Sequence, residues 1–309
     1  MSFTLTILGT SSALPTATTN PTSHFLNVNE QYFLIDCGEG TQMQLRKNRI
    51  KIQRIRHIFI SHLHGDHYFG LIGLITTMQL LGREKELNIF SPDSDLLKQI
   101  IELQLGVHNH GQALDFPVIF HQIDSKNSEI IFENEKLTVQ TIPLKHRIPC
   151  SGFLFREKQK SQNIKKDMIG KHEISIEQIQ QLKLGSDLRK SDGSVVKNEE
   201  LTLAPPLPCS YAFCSDTKYD EAIIPIIRNV DLLYHEATFL NELENQAKRT
   251  AHSTALQAAT IAKMANVKQL IIGHFSARYK NPEVLLNEAK TIFENTILAE
   301  EGKKYKVEK

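Results

Sequence analysis

Short apolar runs alternate with segments of helical periodicity along most of the chain, a pattern that predicts an α/β protein. Phe3–Leu8 and Tyr32–Asp36 read as strands, the first ending in the turn Gly9-Thr10-Ser11-Ser12. His57–Ser61 is another strand. Asp66–Leu81 then carries apolar residues at helical spacing up to the polar run Gly82-Arg83-Glu84-Lys85-Glu86. Val118–Gln122, Ile130–Phe132 and Lys136–Ile142 form a strand-rich middle. In the last third, Ala212–Ser215, Asp231–His235 and Gln269–Gly273 predict strands, and Thr254–Ala265 and Pro282–Asn295 predict helices.

Arg156–Lys197 departs from this rhythm. It holds ten Lys or Arg against six acidic residues, a local charge of +4, and Ile174–Leu184 within it predicts one short amphipathic helix. From composition alone it reads equally as a solvated surface insertion. The whole chain of 309 residues balances 36 basic against 35 acidic residues, a net charge of +1. A globally basic nucleic-acid binder is therefore not indicated, and any such function must rest on a local patch. No apolar run reaches the roughly 18 residues that a membrane helix needs, so no membrane association is expected. Met1–Ser12 lacks the pattern of a signal peptide, and four cysteines without a CxxC pair suit reduced cytoplasmic thiols.

The chemistry concentrates in histidine. Ser61-His62-Leu63-His64-Gly65-Asp66-His67 lies where a strand runs into a helix. His62 and His64, two apart, point the same way in extended backbone, and Asp66 and His67 follow at the helix entry. Three imidazoles and a carboxylate this close suit a borderline metal such as zinc, and so many ligands suggest two ions. His146, Asp216 and His274 each follow a predicted strand and supply further candidates.

The order His-x-His-x-Asp-His, then a lone His, a lone Asp and a lone His, resembles the metallo-β-lactamase superfamily over Phe3 to about Tyr279. Its fold is an αββα sandwich of two packed sheets with outer helices. Within it, Leu8-Gly9-Thr10-Ser11-Ser12, Asp36-Cys37-Gly38-Glu39-Gly40-Thr41-Gln42, His235-Glu236-Ala237-Thr238-Phe239, His252-Ser253-Thr254 and His274-Phe275-Ser276-Ala277-Arg278-Tyr279 resemble motifs of the ribonuclease Z family. The long interval between His146 and Asp216 matches a family arm that grips tRNA. The resemblance therefore implies one domain over 1–309 with a protruding tRNA-gripping arm at 156–197.

It further implies that His62, His64 and His146 hold one zinc, that Asp66, His67 and His274 hold the other, and that Asp216 bridges them. Asp36 would support a ligand from behind. Two zinc ions about 3.5–4 Å apart would activate a bridging water as hydroxide. The implied reaction removes the 3′ trailer of precursor tRNA and leaves a 3′-hydroxyl. Asp66 would orient the nucleophile, and His252 would protonate the leaving oxygen, with Glu236 and His235 fixing its tautomer. Without the resemblance, Glu236 reads equally as a partly buried carboxylate and His252 as a residue of the helix-cap region. Arg278 is a candidate phosphate clamp. A homodimer in the cytoplasm is implied as well. The rival reading is a dizinc phosphodiesterase of small substrates. The arm lacks the Gly-Pro turn that family arms often carry, and has Gly185-Ser186 instead. His24, His57, His108, His110, His121 and His172 are assigned to packing or solvent.

Overall fold

The computed structural model describes residues 3–108 and 114–309. His110 and the side chain of His108 lie outside the described residues.

Two seven-stranded sheets are stacked face to face. The first has the order Lys304–Lys306, Phe3–Gly9, Ser23–Val28, Gln31–Ile35, Ile55–Phe59, Leu87–Ser91, Val118–Gln122. The second has the order Thr296–Leu298, Gln269–Gly273, Leu232–Glu236, Ser210–Cys214, Cys150–Glu157, Leu137–Leu144, Ile130–Glu133. Because strand side chains alternate in direction, each buried strand feeds two cores. Phe153 and Phe155 join Phe33, Phe59, Tyr211 and Phe213 between the sheets. Leu154, Ala212 and Cys214 turn outward, onto the helix Ala255–Met264 and its neighbour Glu283–Lys290. On the other outer face, Leu34 and Ile58 pack with Leu71, Leu74 and Met78 of the helix Leu71–Leu80 and with Leu97 and Ile101 of Ser94–His108. The result is the four-layer αββα sandwich expected.

The chain directions gather the site. Gln31–Ile35, Ile55–Phe59 and Leu87–Ser91 run parallel in the first sheet. Ser210–Cys214, Leu232–Glu236 and Gln269–Gly273 run parallel in the second. Leu137–Leu144 shares their direction, since it and Ser210–Cys214 are both antiparallel to Cys150–Glu157. Carboxyl ends of parallel strands open toward one crevice, the usual ligand position in α/β sheets.

Most predicted elements are present with bounds moved by a few residues. The helix predicted over Asp66–Leu81 is broken instead into Gly65–Tyr68 and Leu71–Leu80. Gly70 stands at the break, where its N–H donates to the Cys37 carbonyl over 2.8 Å. A Cβ there would fall 2.2 Å from the Gly38 carbonyl oxygen. The last predicted helix is shorter, Glu283–Lys290, and is followed by the edge strand Thr296–Leu298. Strands Ser23–Val28, Leu87–Ser91, Cys150–Glu157 and Lys304–Lys306 and helices Thr41–Lys47 and Ser94–His108 were not anticipated.

The excursion from the second sheet begins after Glu157 and ends before Ser210, so it runs past residue 197. It opens on the antiparallel pair Asn163–Ile164 with Thr202–Leu203. Its own small core is Ile174, Leu182, Leu188 and Leu201. The helix foreseen there spans Ile176–Lys183, started by a Ser175–Gln178 capping box. Glu157 and Ser210 are at the end of the sheet opposite Asp216, so the excursion leaves the sandwich at the pole away from the strand-end crevice. Among the described residues no helix is long and apolar enough to cross a membrane. The four cysteines are free.

Replacing Gly70 with Ala forces its carbonyl neighbours apart, a form of overpacking that costs about 1–3 kcal/mol. Denaturant unfolding should show the unfolding free energy fall by that amount; an unchanged value would mean that the helix break tolerates a methyl group.

Candidate metal centre

Every ligand candidate stands just past a strand's carboxyl end. His62, His64, Asp66 and His67 follow Ile55–Phe59, His146 follows Leu137–Leu144, Asp216 follows Ser210–Cys214, and His274 follows Gln269–Gly273. His274 takes a left-handed backbone turn at φ 59°, and Asp36 does so at φ 55° after Gln31–Ile35. Such strain in residues other than glycine concentrates at functional sites.

The ring nitrogens are aimed by what their far sides touch. The Asp36 carboxylate, fully buried, accepts from the Ser61 N–H (2.7 Å), the Ser61 hydroxyl (2.9 Å) and His67 Nδ1 (2.7 Å). Ser61 Oγ, its proton given to Asp36, accepts from His62 Nδ1 over 3.0 Å. His146 Nδ1 donates to the Ala251 carbonyl over 2.9 Å. Thr238 Oγ1 donates to Glu236 Oε2 over 2.7 Å and accepts from His274 Nδ1 over 3.0 Å. In each of these four rings Nδ1 carries the proton and the Nε2 lone pair faces the crevice.

Those lone pairs converge. His64 Nδ1 lies 2.9 Å from His62 Nε2 and 3.1 Å from His146 Nε2. A single Nδ1 proton on His64 can serve only one of these neighbours at a time, whereas a cation among the three nitrogens would satisfy all of them. Nε2 of His67 and of His274 are buried and make no hydrogen bond. His62, His64, His146 and Asp216 form one set of donor atoms within 4.8 Å of one another, and Asp66, His67 and His274 form another. Asp216 faces both. Its Oδ2 is 3.6 Å from His62 Nε2 and 3.8 Å from His146 Nε2, whereas Oδ1 is 3.1 Å from His274 Nε2 and 3.4 Å from His67 Nε2. Imidazole and carboxylate donors in two such groups fit a pair of borderline divalent ions.

The protonation pattern agrees. Burial, reinforced by neighbouring histidines, holds His62 well below its usual value and His64 below its own; burial lowers His146 too. All three are neutral imidazoles able to ligate. Burial would lower His67 as well, but the Asp216, Asp36 and Asp66 carboxylates hold it well above the ordinary value.

Beside this group, Glu236 is fully buried and accepts four hydrogen bonds. Oε1 takes the Thr217 N–H (3.1 Å) and His252 Nδ1 (2.8 Å), and Oε2 takes the Thr238 N–H (3.1 Å) and hydroxyl. Burial disfavours a charged His252, but Glu236 and Asp216 outweigh it and raise the ring to about 9. His252 precedes the Thr254–Gln257 capping box that starts the helix Ala255–Met264, so its place is set by that cap. Its side chain is 12% exposed, while the Glu236 carboxylate that holds Nδ1 is fully buried.

Two candidates stand differently. His235 Nδ1 donates to the neighbouring Glu236 carbonyl over 2.7 Å, and among the described residues no hydrogen bond links it to His252. Successive strand residues face opposite ways, so only Glu236 reaches His252. Arg278 is exposed and stacks over the Phe239 ring with Cζ 5.0 Å from its centre, its Nε donating to Ser276 Oγ. It is not brought to the ligand group. Sequence reading missed Ser61, Thr238 and the Ala251 carbonyl, which fix the rings; only Ser61, a short polar residue beside His62, gave a local signal.

Ribonuclease Z of Bacteroides fragilis is 49% identical to this chain over 300 residues, covering 97% of each. The chain belongs to the ribonuclease Z family. It is an endoribonuclease of that type, a phosphodiester hydrolase. Human tRNase Z, short form, superposes with a TM-score of 0.69 at 27% identity, over 98% of this chain and 99% of that one. The metallo-β-lactamase fold protein YhfI of Bacillus subtilis superposes with a TM-score of 0.70 at 18% identity, over 99% of this chain and 100% of its own. The fold is thus the metallo-β-lactamase fold. A family model described as "Anti-Pycsar protein Apyc1" also matches residues 3–187, which hold His62–His67 and His146 but end before Asp216, His252 and His274.

Asp36→Asn keeps the size of the side chain while weakening its hold on His67 and Ser61. Metal affinity, read by competition with a chromophoric chelator, should drop about 10–100-fold with the fold intact by circular dichroism. Unchanged affinity would remove Asp36 from the support of the site.

Proposed function

We propose that this chain is a zinc-dependent endoribonuclease that removes the 3′ trailer from precursor tRNA and leaves a 3′-hydroxyl. The observation that carries this reading is the pair of donor sets with Asp216 facing both, within a chain of the ribonuclease Z family. His62, His64 and His146 would hold one zinc, Asp66, His67 and His274 the other, and Asp216 would face both. Two such ions supply Lewis acidity toward the phosphate and lower the pKa of a water.

The remaining steps belong to the chain's own residues. Asp66 Oδ2 accepts the Ala13 N–H over 2.8 Å, which fixes the carboxylate for orienting the attacking water. His252, held on Glu236 through Nδ1, offers its other nitrogen to the leaving 3′-oxygen. Glu236 stabilises the charged ring and fixes its tautomer. Arg278, stacked on Phe239 and exposed, is offered as a phosphate contact.

The arm would grip the RNA backbone. Lys197 and Lys160 are neutralised by Asp187 and Glu157, while Lys166, Lys171, Lys183, Arg189 and Lys190 make no ion pair among the described residues. Phosphate contacts of this kind position structured RNA without reading its sequence. Because the arm leaves from the pole opposite the crevice, it is better placed to serve the crevice of a second copy, which favours a homodimer. The absence of any long apolar helix among the described residues and the free thiols suit a cytoplasmic enzyme.

Replacing Lys165–Leu201 with Asn-Gly joins Ile164 to Thr202, which are already antiparallel partners. This variant should lose cleavage of a 3′-extended precursor tRNA and keep hydrolysis of bis(p-nitrophenyl) phosphate. Equal activity on the precursor would end the gripping role, and a wild type that cut only the small diester would replace the reading with a small-substrate phosphodiesterase.

His252→Ala separates the proton donor from the metal site. With precursor tRNA, whose leaving alkoxide needs a proton, the rate should fall about 10²–10⁴-fold. With the nitrophenyl diester, whose leaving group departs as a stable anion, the loss should be far smaller. Equal losses on both would show His252 supporting the metals rather than donating a proton.

A further inference from the structure

We infer that Phe69 is a stacking platform for a nucleobase that borders the scissile phosphate. The inference rests on the RNA-cleaving reading above and specifies a subsite for it. Singly exposed apolar residues are common and need no function. Phe69 differs in its bracing and its position. It is 60% exposed, yet the edge of its ring lies directly on Gly65, where a Cβ would fall 2.2 Å from Cε2. Gly65 sits between the ligand candidates His64 and Asp66, so the ring rests on the turn that carries both. Its N–H donates to the Gly65 carbonyl over 2.9 Å. On another side the Tyr68 ring meets it at 5.0 Å between centres and 69° between planes, and Tyr68 is itself packed on the outer core. The ring is thus held on two sides and open to water elsewhere.

A second large apolar side chain stands at the same rim. Leu14 is 65% exposed and follows Ala13, whose N–H is bonded to Asp66. Water gains nothing from a braced aromatic ring here, but single-stranded RNA does. Bases at an unpaired end splay onto aromatic side chains, and each such stack contributes substantially and tolerates any base. A phenyl ring with two torsions, already fixed by its neighbours, loses little entropy on binding. A base stacked on Phe69 would hold its own phosphate beside Asp66.

The test is a cycle between side chain and base. Wild type, Phe69→Ala, Phe69→Leu and Phe69→Trp are assayed on a precursor tRNA and on two copies with an abasic nucleotide, one on each side of the scissile bond. Phe69→Ala and Phe69→Leu should each lose tenfold or more in kcat/KM, and Phe69→Trp should stay within a few fold of wild type. One abasic substrate should cost wild type a similar factor and cost Phe69→Ala nothing further. The inference is overturned if Leu restores full activity, or if Phe69→Ala loses the same factor on every substrate. It is also overturned if light scattering shows that Phe69→Ala changes the oligomeric state, which would make the ring a contact between copies. Failure of the underlying reading looks different, because wild type would then leave every precursor uncut.

Discussion

A carboxylate buried without hydrogen-bond donors is too costly for a fold to keep, and that constraint organises the crevice. Asp36 and Glu236 are both wholly buried. Asp36 recruits three donors and Glu236 four. Those donors are the groups that orient the ligand candidates: Ser61 behind His62, His67 itself, Thr238 behind His274, and His252. The requirement to satisfy two buried charges and the requirement to aim four imidazoles are met by the same hydrogen bonds, while His146 is aimed separately by the Ala251 carbonyl. Loosening one carboxylate therefore releases several rings together, and effects at this site are not additive.

The sandwich makes this arrangement possible by strand direction. Four strands of the second sheet and the central strands of the first deliver their carboxyl ends to one crevice, although the residues come from His62 to His274 along the chain. The single strand of opposite sense in the middle of the second sheet, Cys150–Glu157, instead carries the chain to the far pole. There the excursion builds its own core of four buried aliphatic residues and stands apart from the chemistry. Full count lowers its charge. Over 158–209 nine basic residues meet seven acidic ones, since Glu199 and Glu200 follow Lys197, so a net +2 replaces the +4 of the shorter span. The electrostatic case for gripping RNA thus rests on the unpaired lysines and Arg189 rather than on total charge.

Much of this was legible in the sequence. His62, His64, Asp66 and His67 are close enough to be read as a cluster, and His146, Asp216 and His274 each announce themselves as a polar residue ending an apolar run. The helix break at Gly70 was not legible, because the apolar spacing continues through it and only the approach of Gly38 requires glycine there. The strand Leu87–Ser91 is hidden behind a charged run, and Lys304–Lys306 alternates too briefly to register. The divergence of His235 from Glu236 depends on which strand face each occupies, and the parking of Arg278 on Phe239 depends on a tertiary contact. Left-handed turns at Asp36 and His274 use residue types that tolerate them better than most, but their positions depend on tertiary contacts that the chain does not announce.

The central claim is that water, activated within this histidine and carboxylate group, attacks the phosphate while the tRNA 3′-oxygen leaves. The most direct measurement is cleavage of precursor tRNA in ¹⁸O-labelled water, with both products weighed by mass spectrometry. One ¹⁸O atom should appear on a 5′-phosphate of the trailer, and the tRNA should end in an unlabelled 3′-hydroxyl. An unlabelled trailer with a 5′-hydroxyl, beside a tRNA ending in a 2′,3′-cyclic phosphate, would show that the neighbouring ribose hydroxyl attacks instead and would contradict the account.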